Sequence, residues 1–152
     1  MNITGAVSVP ASREEVWNML MDPMQLCKVI PGCEGARQLD ETHYEAVLSV
    51  KVQFMTIRSR AQGTLLEAKP PEHLVGEMVG EPTAMAGAFR SHVTIDLVPR
   101  STLETVVQYA MEITMLGRLA SLGEAIVRST SQKLSQQFAE NVAKLFSSPN
   151  QS

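Results

Sequence analysis

At 152 residues the chain has the length of one domain, able to bury roughly 68–70% of the surface its unfolded form exposes. Hydrophobic residues at 44% against 19% charged exclude wholesale disorder. A net charge of −3 with no basic run gives a nucleic-acid role no support.

Residues 2–9 alternate, with Ile3, Val7 and Val9 on one side and Asn2, Thr4 and Ser8 on the other, which predicts a half-buried strand stopped by Pro10. Ser12 with Glu15 forms a capping box that opens a helix over 13–21, with Val16, Trp17 and Leu20 as its apolar stripe. Asp22-Pro23 starts a second short helix to about Ile30, ended by Pro31-Gly32. Strands are then expected at 34–40, 43–52, 55–67, 72–80, 87–98 and 102–115, separated by turn residues such as Lys69-Pro70-Pro71 and Pro99-Arg100-Ser101. Connections this short between consecutive strands imply an antiparallel meander. The segment 81–88 is long for a hairpin and poor in bulky groups, as an entrance loop or an ordinary surface loop would be. From Arg118 onward the apolar positions Leu119, Leu122, Ile126, Leu134, Phe138, Val142 and Leu145 recur at helical spacing, predicting one amphipathic helix of about eight turns. Residues 1–147 thus read as one domain, followed by a polar tail over 148–152.

A sheet of seven strands must bury one face, and the last helix is the only element long enough to cover it. The expected class is α+β: a helix-grip fold, with a curved antiparallel sheet wrapped round a long C-terminal helix and two short helices after the first strand.

The period of two assigns an inner face to most strands, and charge falls almost wholly on the opposite set, which includes Lys51, Arg58, Arg60, Glu77, Arg90, His92, Asp96 and Glu112. Many inner residues are small, including Ala46, Ser59, Ala61, Gly63, Gly76 and Ser91, which suits either close packing of helix on sheet or an unfilled cavity. The candidate ligand contacts on the sheet are Leu48, Ile57, Ser59, Ala61, Gly63, Met78, Phe89, Ser91, Val93, Tyr109, Met111 and Ile113. Trp17 and Met24 on the short helices are candidates for the rim, and Leu122 and Ile126 for the helical wall. Ser59, Ser91, Thr105 and Tyr109 are the inward polar groups, suited to hydrogen-bonding a carbonyl or hydroxyl of a mostly apolar guest. Tyr109 also reads as a buried tyrosine satisfied by backbone, the commoner use of such a residue. Nine methionines against four Phe, two Tyr and one Trp fit an adaptable apolar lining, and equally a core that uses methionine as filler.

General acid–base chemistry needs a titratable group in the pocket, and no inner strand position carries Asp, Glu, His or Lys at its centre. No catalytic residue is therefore assigned, and an enzyme is the less expected outcome. His43, His73 and His92 share no metal-ligand spacing, so no metal or cofactor is expected. His92 and Asp96, four apart on one outward face, read as a solvated pair. Cys27 and Cys33 match neither a zinc spacing nor a disulfide framework, and read as reduced thiols in a cytoplasmic protein. No signal peptide precedes the first strand, and no apolar run approaches the ~20 residues of a membrane span. Sheet edges left open allow a homodimer.

Several of these residues resemble the carbon monoxide dehydrogenase CoxG family: Ile3-Thr4-Gly5, Val9-Pro10-Ala11, Glu15-Val16-Trp17, Asp22-Pro23 and above all Ile30-Pro31-Gly32-Cys33-Glu34. The run Leu116–Gly123, with Lys133-Leu134 and Gln137-Phe138, resembles that family's closing helix, so the resemblance covers about residues 2–146. It implies membership of the START-like (SRPBCC) superfamily, whose members hold apolar small molecules between sheet and helix. It also implies a non-catalytic accessory or carrier role beside a molybdenum hydroxylase of the carbon monoxide dehydrogenase type, with a quinone or lipid-like molecule as the guest. Alternatives are a docking protein with a filled core and an aromatase/cyclase-like enzyme. Longer relatives carry an apolar C-terminal segment beyond the point where this chain stops, which leaves the fold itself to make any peripheral membrane contact. The middle segment Val52–Ile57 departs from the family pattern.

Overall fold

Ser12 starts the first helix as expected: its hydroxyl accepts from the Glu15 amide, and the Glu15 carboxylate accepts from the Ser12 amide. In the computed structural model, which describes residues 1–147, this helix is α1 (Arg13–Met21), between β1 (Asn2–Val9) and α2 (Pro23–Val29). Asp22 caps α2 by accepting from the amides of Met24 and Gln25, and Pro23 occupies the first turn, where a missing N–H costs nothing. There follow β2 (Cys33–Gln38), β3 (His43–Val52), β4 (Met55–Lys69), β5 (His73–Pro82), β6 (Gly87–Ser101) and β7 (Glu104–Gly117). A 3-10 turn (Arg118–Leu122) leads into α3 (Glu124–Ser147). The expected tail over 148–152 lies outside the described residues.

All seven strands form one antiparallel sheet in the order β1-β7-β6-β5-β4-β3-β2, a meander closed by β1 beside β7. The α+β helix-grip architecture is thus present. Three expectations need correction. The last helix does not run unbroken from Arg118: Gly123 sits at φ 89°, where a side chain would be strained, and α3 begins after it with 24 residues. Leu119 and Leu122 consequently belong to the 3-10 turn. The β5–β6 connection is shorter than residues 81–88, because Glu81 and Pro82 continue the ladder opposite Arg60 and Ser59; proline is tolerated there at the strand's end. Asp96 pairs not with His92 but with His73 on the neighbouring strand, Nδ1 to Oδ1 at 2.6 Å, because the two face each other across the β5–β6 ladder.

The cysteines are also not free thiols: Cys27 and Cys33 are joined in a disulfide, with their Cα atoms 5.3 Å apart. Sequence spacing alone could not show this, because the turn between α2 and β2 is what brings the two side chains together. The cytoplasmic placement loses the support that reduced thiols gave it. The same turn carries Gly32 at φ 79°, and a Cβ there would run into the Ser49 carbonyl oxygen of β3. The Gly32 carbonyl accepts from the Ser49 amide at 2.8 Å, so the turn is held to the sheet at its edge.

The packed core lies at one end of the concave face. Val9, Ala11, Val16, Trp17, Met19, Leu20 and Val29 pack there with Leu74, Leu97, Val107 and Val142, and Phe138, Leu145 and Phe146 of α3 close over them. Thr105, fully buried in this region, donates its hydroxyl to the Ala11 carbonyl at 2.8 Å. The polar turn between β2 and β3 is held by Asp40, whose carboxyl lies below the usual carboxylate range because the Thr42 amide and the His43 side chain donate to it.

Two measurements check the roles of Gly32 and the disulfide in the α2–β2 turn. Gly32→Ala should destabilise the protein by about 2 kcal/mol or more in urea unfolding, through strain at positive φ and the clash with Ser49. Reduction of the Cys27–Cys33 bond, which closes a short loop, should cost about 2 kcal/mol of chain entropy. The melting temperature of the reduced protein should then fall by ~4–8 °C; an unchanged value would show that α2 needs no staple.

Candidate functional site at the open end of the concave face

Strand pairing aligns the inner residues in rows across the sheet. One row runs Ile113, Ser91, Met78, Gly63, Tyr44, and the next, nearer the strand ends, runs Met115, Phe89, Gly80, Ala61, Ala46. Met111, Val93, Gly76 and Leu65 form the row on the other side, toward the packed core. Ser59 and Leu48 lie across from each other on β4 and β3, with Ile57 and Val50 beyond them. Eleven of the expected contacts are therefore on one continuous surface: Leu48, Ile57, Ser59, Ala61, Gly63, Met78, Phe89, Ser91, Val93, Met111 and Ile113.

This end is not packed like the other. Met78, Phe89, Val93 and Met111 are only half-buried although each is flanked by paired strands on both sides, and Ile113 and Met115, beyond the last β1 pair, are half-buried as well. On α3, Ile126, Thr130 and Leu134 are likewise half-buried, whereas Val142 near its other end is 1% exposed. The described close approaches of the α3 backbone are to β1, to α2 and to the 3-10 turn.

The small residues of this face have two different uses. A Cβ on Gly5 would run into the Tyr109 ring, and one on Gly80 into the Phe89 ring, so these glycines accept aromatic rings laid flat across the neighbouring strand. A Cβ on Gly63 or Gly76 would meet only ordinary contacts, at 3.8 and 3.6 Å, so no ring covers these two. Ser59 and Ser91 are 4% and 8% exposed. Among the described residues, neither hydroxyl has a hydrogen-bond partner and neither is sealed from open space. Among the described residues, no sheet position of this face carries a carboxylate, lysine, arginine or histidine. No group of His, Cys, Asp and Glu side chains is placed to hold a metal, again among the described residues.

The remaining candidates lie elsewhere. Trp17 is part of the packed core, Met24 is 72% exposed on α2, and Leu122 is half-buried on the 3-10 turn. The Tyr109 ring covers β1 at Gly5. Four residues of the open rows, Tyr44, Ala46, Gly80 and Met115, are not among the ligand contacts expected from the sequence. All four continue an alternation that was readable, from Leu48, Met78 and Ile113.

The rim of the open end is continuous in backbone hydrogen bonds. The Thr83 amide donates to the Arg58 carbonyl at 2.9 Å, and the Arg118 amide to the Ala86 carbonyl at 3.2 Å. The short 83–86 connection, with half-buried Met85, thus ties β4 to the 3-10 turn.

This geometry has known counterparts. A conserved protein from Geobacillus kaustophilus superposes with a TM-score of 0.87 at 27% identity, covering 96% of this chain and 95% of that one. A START superfamily protein from Mycobacterium smegmatis gives 0.72 at 11% identity, over 95% of this chain and 96% of that one. The Zhui aromatase/cyclase from Streptomyces sp. R1128 gives 0.71 at 11% identity, over 95% and 92%. At such identities the last two speak for the fold alone, which is START-like. No curated protein matches the chain. The sequence profile of the carbon monoxide dehydrogenase family CoxG matches residues 5–147, nearly everything that forms the sheet and the helix over it, and the chain belongs to that family.

Proposed function

We propose that the chain is a non-catalytic carrier that holds an apolar, quinone- or lipid-like molecule at the open end of the concave face. Its family supports service to a molybdenum hydroxylase of the carbon monoxide dehydrogenase type. The observation that carries the reading is the pair of nine-tenths-buried serines, Ser59 and Ser91, whose hydroxyls stay open to space on a face otherwise without charge. A guest carbonyl or hydroxyl would find a hydrogen-bond partner at each while its apolar part lies on the apolar face. The apolar remainder of the guest would lie against Met78, Met111, Ile113 and Val93, where methionine adapts to irregular shapes. Ser59 and Ser91 are two strands and four residues apart, about 16 Å on a flattened sheet. That is farther than two carbonyls of one six-membered ring, so each serine serves a different part of a long guest. The lack of an acid or base on this face supports holding rather than turnover.

Mass spectrometry of an organic extract of the purified protein should reveal a co-purified quinone or lipid; a clean extract together with no uptake of a quinone or fatty-acyl probe would refute the reading. Gly63→Phe, whose Cβ meets only ordinary contacts, should abolish probe uptake while leaving the melting temperature within a few degrees. Ser91→Ala should weaken a probe that carries a carbonyl by about tenfold, the worth of one buried hydrogen bond, and leave its hydrocarbon analogue unaffected.

A further inference from the structure

The Cys27–Cys33 bond joins α2 to the last strand of the sheet. That strand, β2, has a partner strand on one side only. A register irregularity between Cys33 and Gly35 sets Glu34 outside the ladder, where it pairs with Arg58 at 3.0 Å. Both cysteines are half-buried, and Lys28, Gly32, Glu34 and Gly35 beside them are exposed. The disulfide therefore stands within reach of a thiol arriving from solvent.

The turn between the two cysteines is also held by contacts that do not depend on the bond. The Ile30 amide donates to the Leu26 carbonyl at 3.0 Å, the Cys33 amide to the Ile30 carbonyl at 3.2 Å, and the Ser49 amide to the Gly32 carbonyl at 2.8 Å. Asn141 of α3 donates its Nδ2 to the Val29 carbonyl at 3.1 Å, and the Val29 side chain is sunk in the core at 1% exposure. Pro31 has its φ fixed by its ring. Such a frame keeps the two cysteines side by side after reduction, so each thiol meets the other at high effective concentration. The Gly35 carbonyl, 3.7 Å from Cys33 Sγ, is an acceptor for the thiol that reduction creates.

We propose that Cys27–Cys33 is a reversible thiol–disulfide exchange site, a two-electron couple that a dithiol reductant works in the folded chain. A thiolate of the dithiol attacks Cys33 Sγ on the open edge strand. The S–S bond breaks, and its electron pair leaves on Cys27 Sγ. The ammonium of Lys28, the next residue, favours that thiolate, which then takes up a proton. The second thiolate of the dithiol attacks its own sulfur in the mixed disulfide and releases Cys33, which is protonated in turn. The protein gains two electrons and two protons, and the reductant is left as a disulfide. The reading goes beyond the carrier function and does not depend on it.

Alkylation with iodoacetamide in buffer without denaturant, followed by mass spectrometry, tests it. The purified chain should take up no label. After millimolar dithiothreitol both cysteines should be labelled, with far-UV circular dichroism unchanged, and glutathione disulfide added before the label should restore the unlabelled state. Cys27→Ser should form a mixed disulfide with glutathione at Cys33 about tenfold faster than Cys33→Ser does at Cys27. Lys28→Glu should slow reduction about threefold without moving the melting curve of the oxidised form. A bond that dithiothreitol opens only in urea, loss of circular dichroism on reduction, or thiols that glutathione disulfide cannot rejoin would each overturn the proposal and leave a structural bridge. Equal trapping in the two serine variants, or reduction indifferent to Lys28→Glu, would overturn the assigned direction of attack.

Discussion

One helix is too narrow to cover seven strands. Strands spaced ~4.8 Å apart make a sheet nearly 30 Å wide, whereas a helix with its side chains is about 10–12 Å across. Curvature closes part of that gap, and the rest must be filled by other elements or left open. In this protein α1 and α2 fill one end, and the C-terminal half of α3 completes the core there with Phe138 and Val142. At the other end only the short 3-10 turn, with buried Leu119, stands beside β6 and β7 among the described residues, and Met78, Met111, Ile113 and Met115 stay half-buried. Packing is therefore denser at the first end, and the second is the more open.

Much of the architecture was legible because it is written in local patterns. The Ser12–Glu15 box placed α1 to the residue, and strict alternation fixed which side of β3–β7 faces inward. What escaped depended on contacts between distant segments. Nothing in the spacing of Cys27 and Cys33 declares a disulfide, since the geometry comes from the turn between α2 and β2. The break at Gly123 interrupts a periodicity that continues through it, because a 3-10 turn preserves nearly the same facing for Leu119 and Leu122.

The candidate site was legible in composition but not in extent. Small inner residues could signal close packing or space, and the structure contains both: Gly5 and Gly80 are covered by rings, Gly63 and Gly76 are not. Aromatic residues two positions from a lattice of small ones do not reveal which glycine they will cover; cross-strand register decides that. The serines divide in the same way from Thr105, whose hydroxyl the Ala11 carbonyl takes up in the core. Methionine, too, has both of its readings, with Met19 in the packed core and Met78, Met111 and Met115 on the open face.

The hydrogen-bonded rim from Arg58 through Thr83 and Ala86 to Arg118 bears on how anything could pass it. A loop that opens must first give up its backbone partners, and here those partners join three elements at once. The less costly route leaves the main chain in place and turns side chains aside. Met85 stands on that connection, and Met115 stands in the row just inside it. With several staggered rotamers of similar energy, each would serve the proposed carrier as a shutter that swings without unzipping its frame. Under that reading admission would be graded by the bulk and pliancy of the guest, a straight, flexible chain passing where a wide rigid ring system stalls.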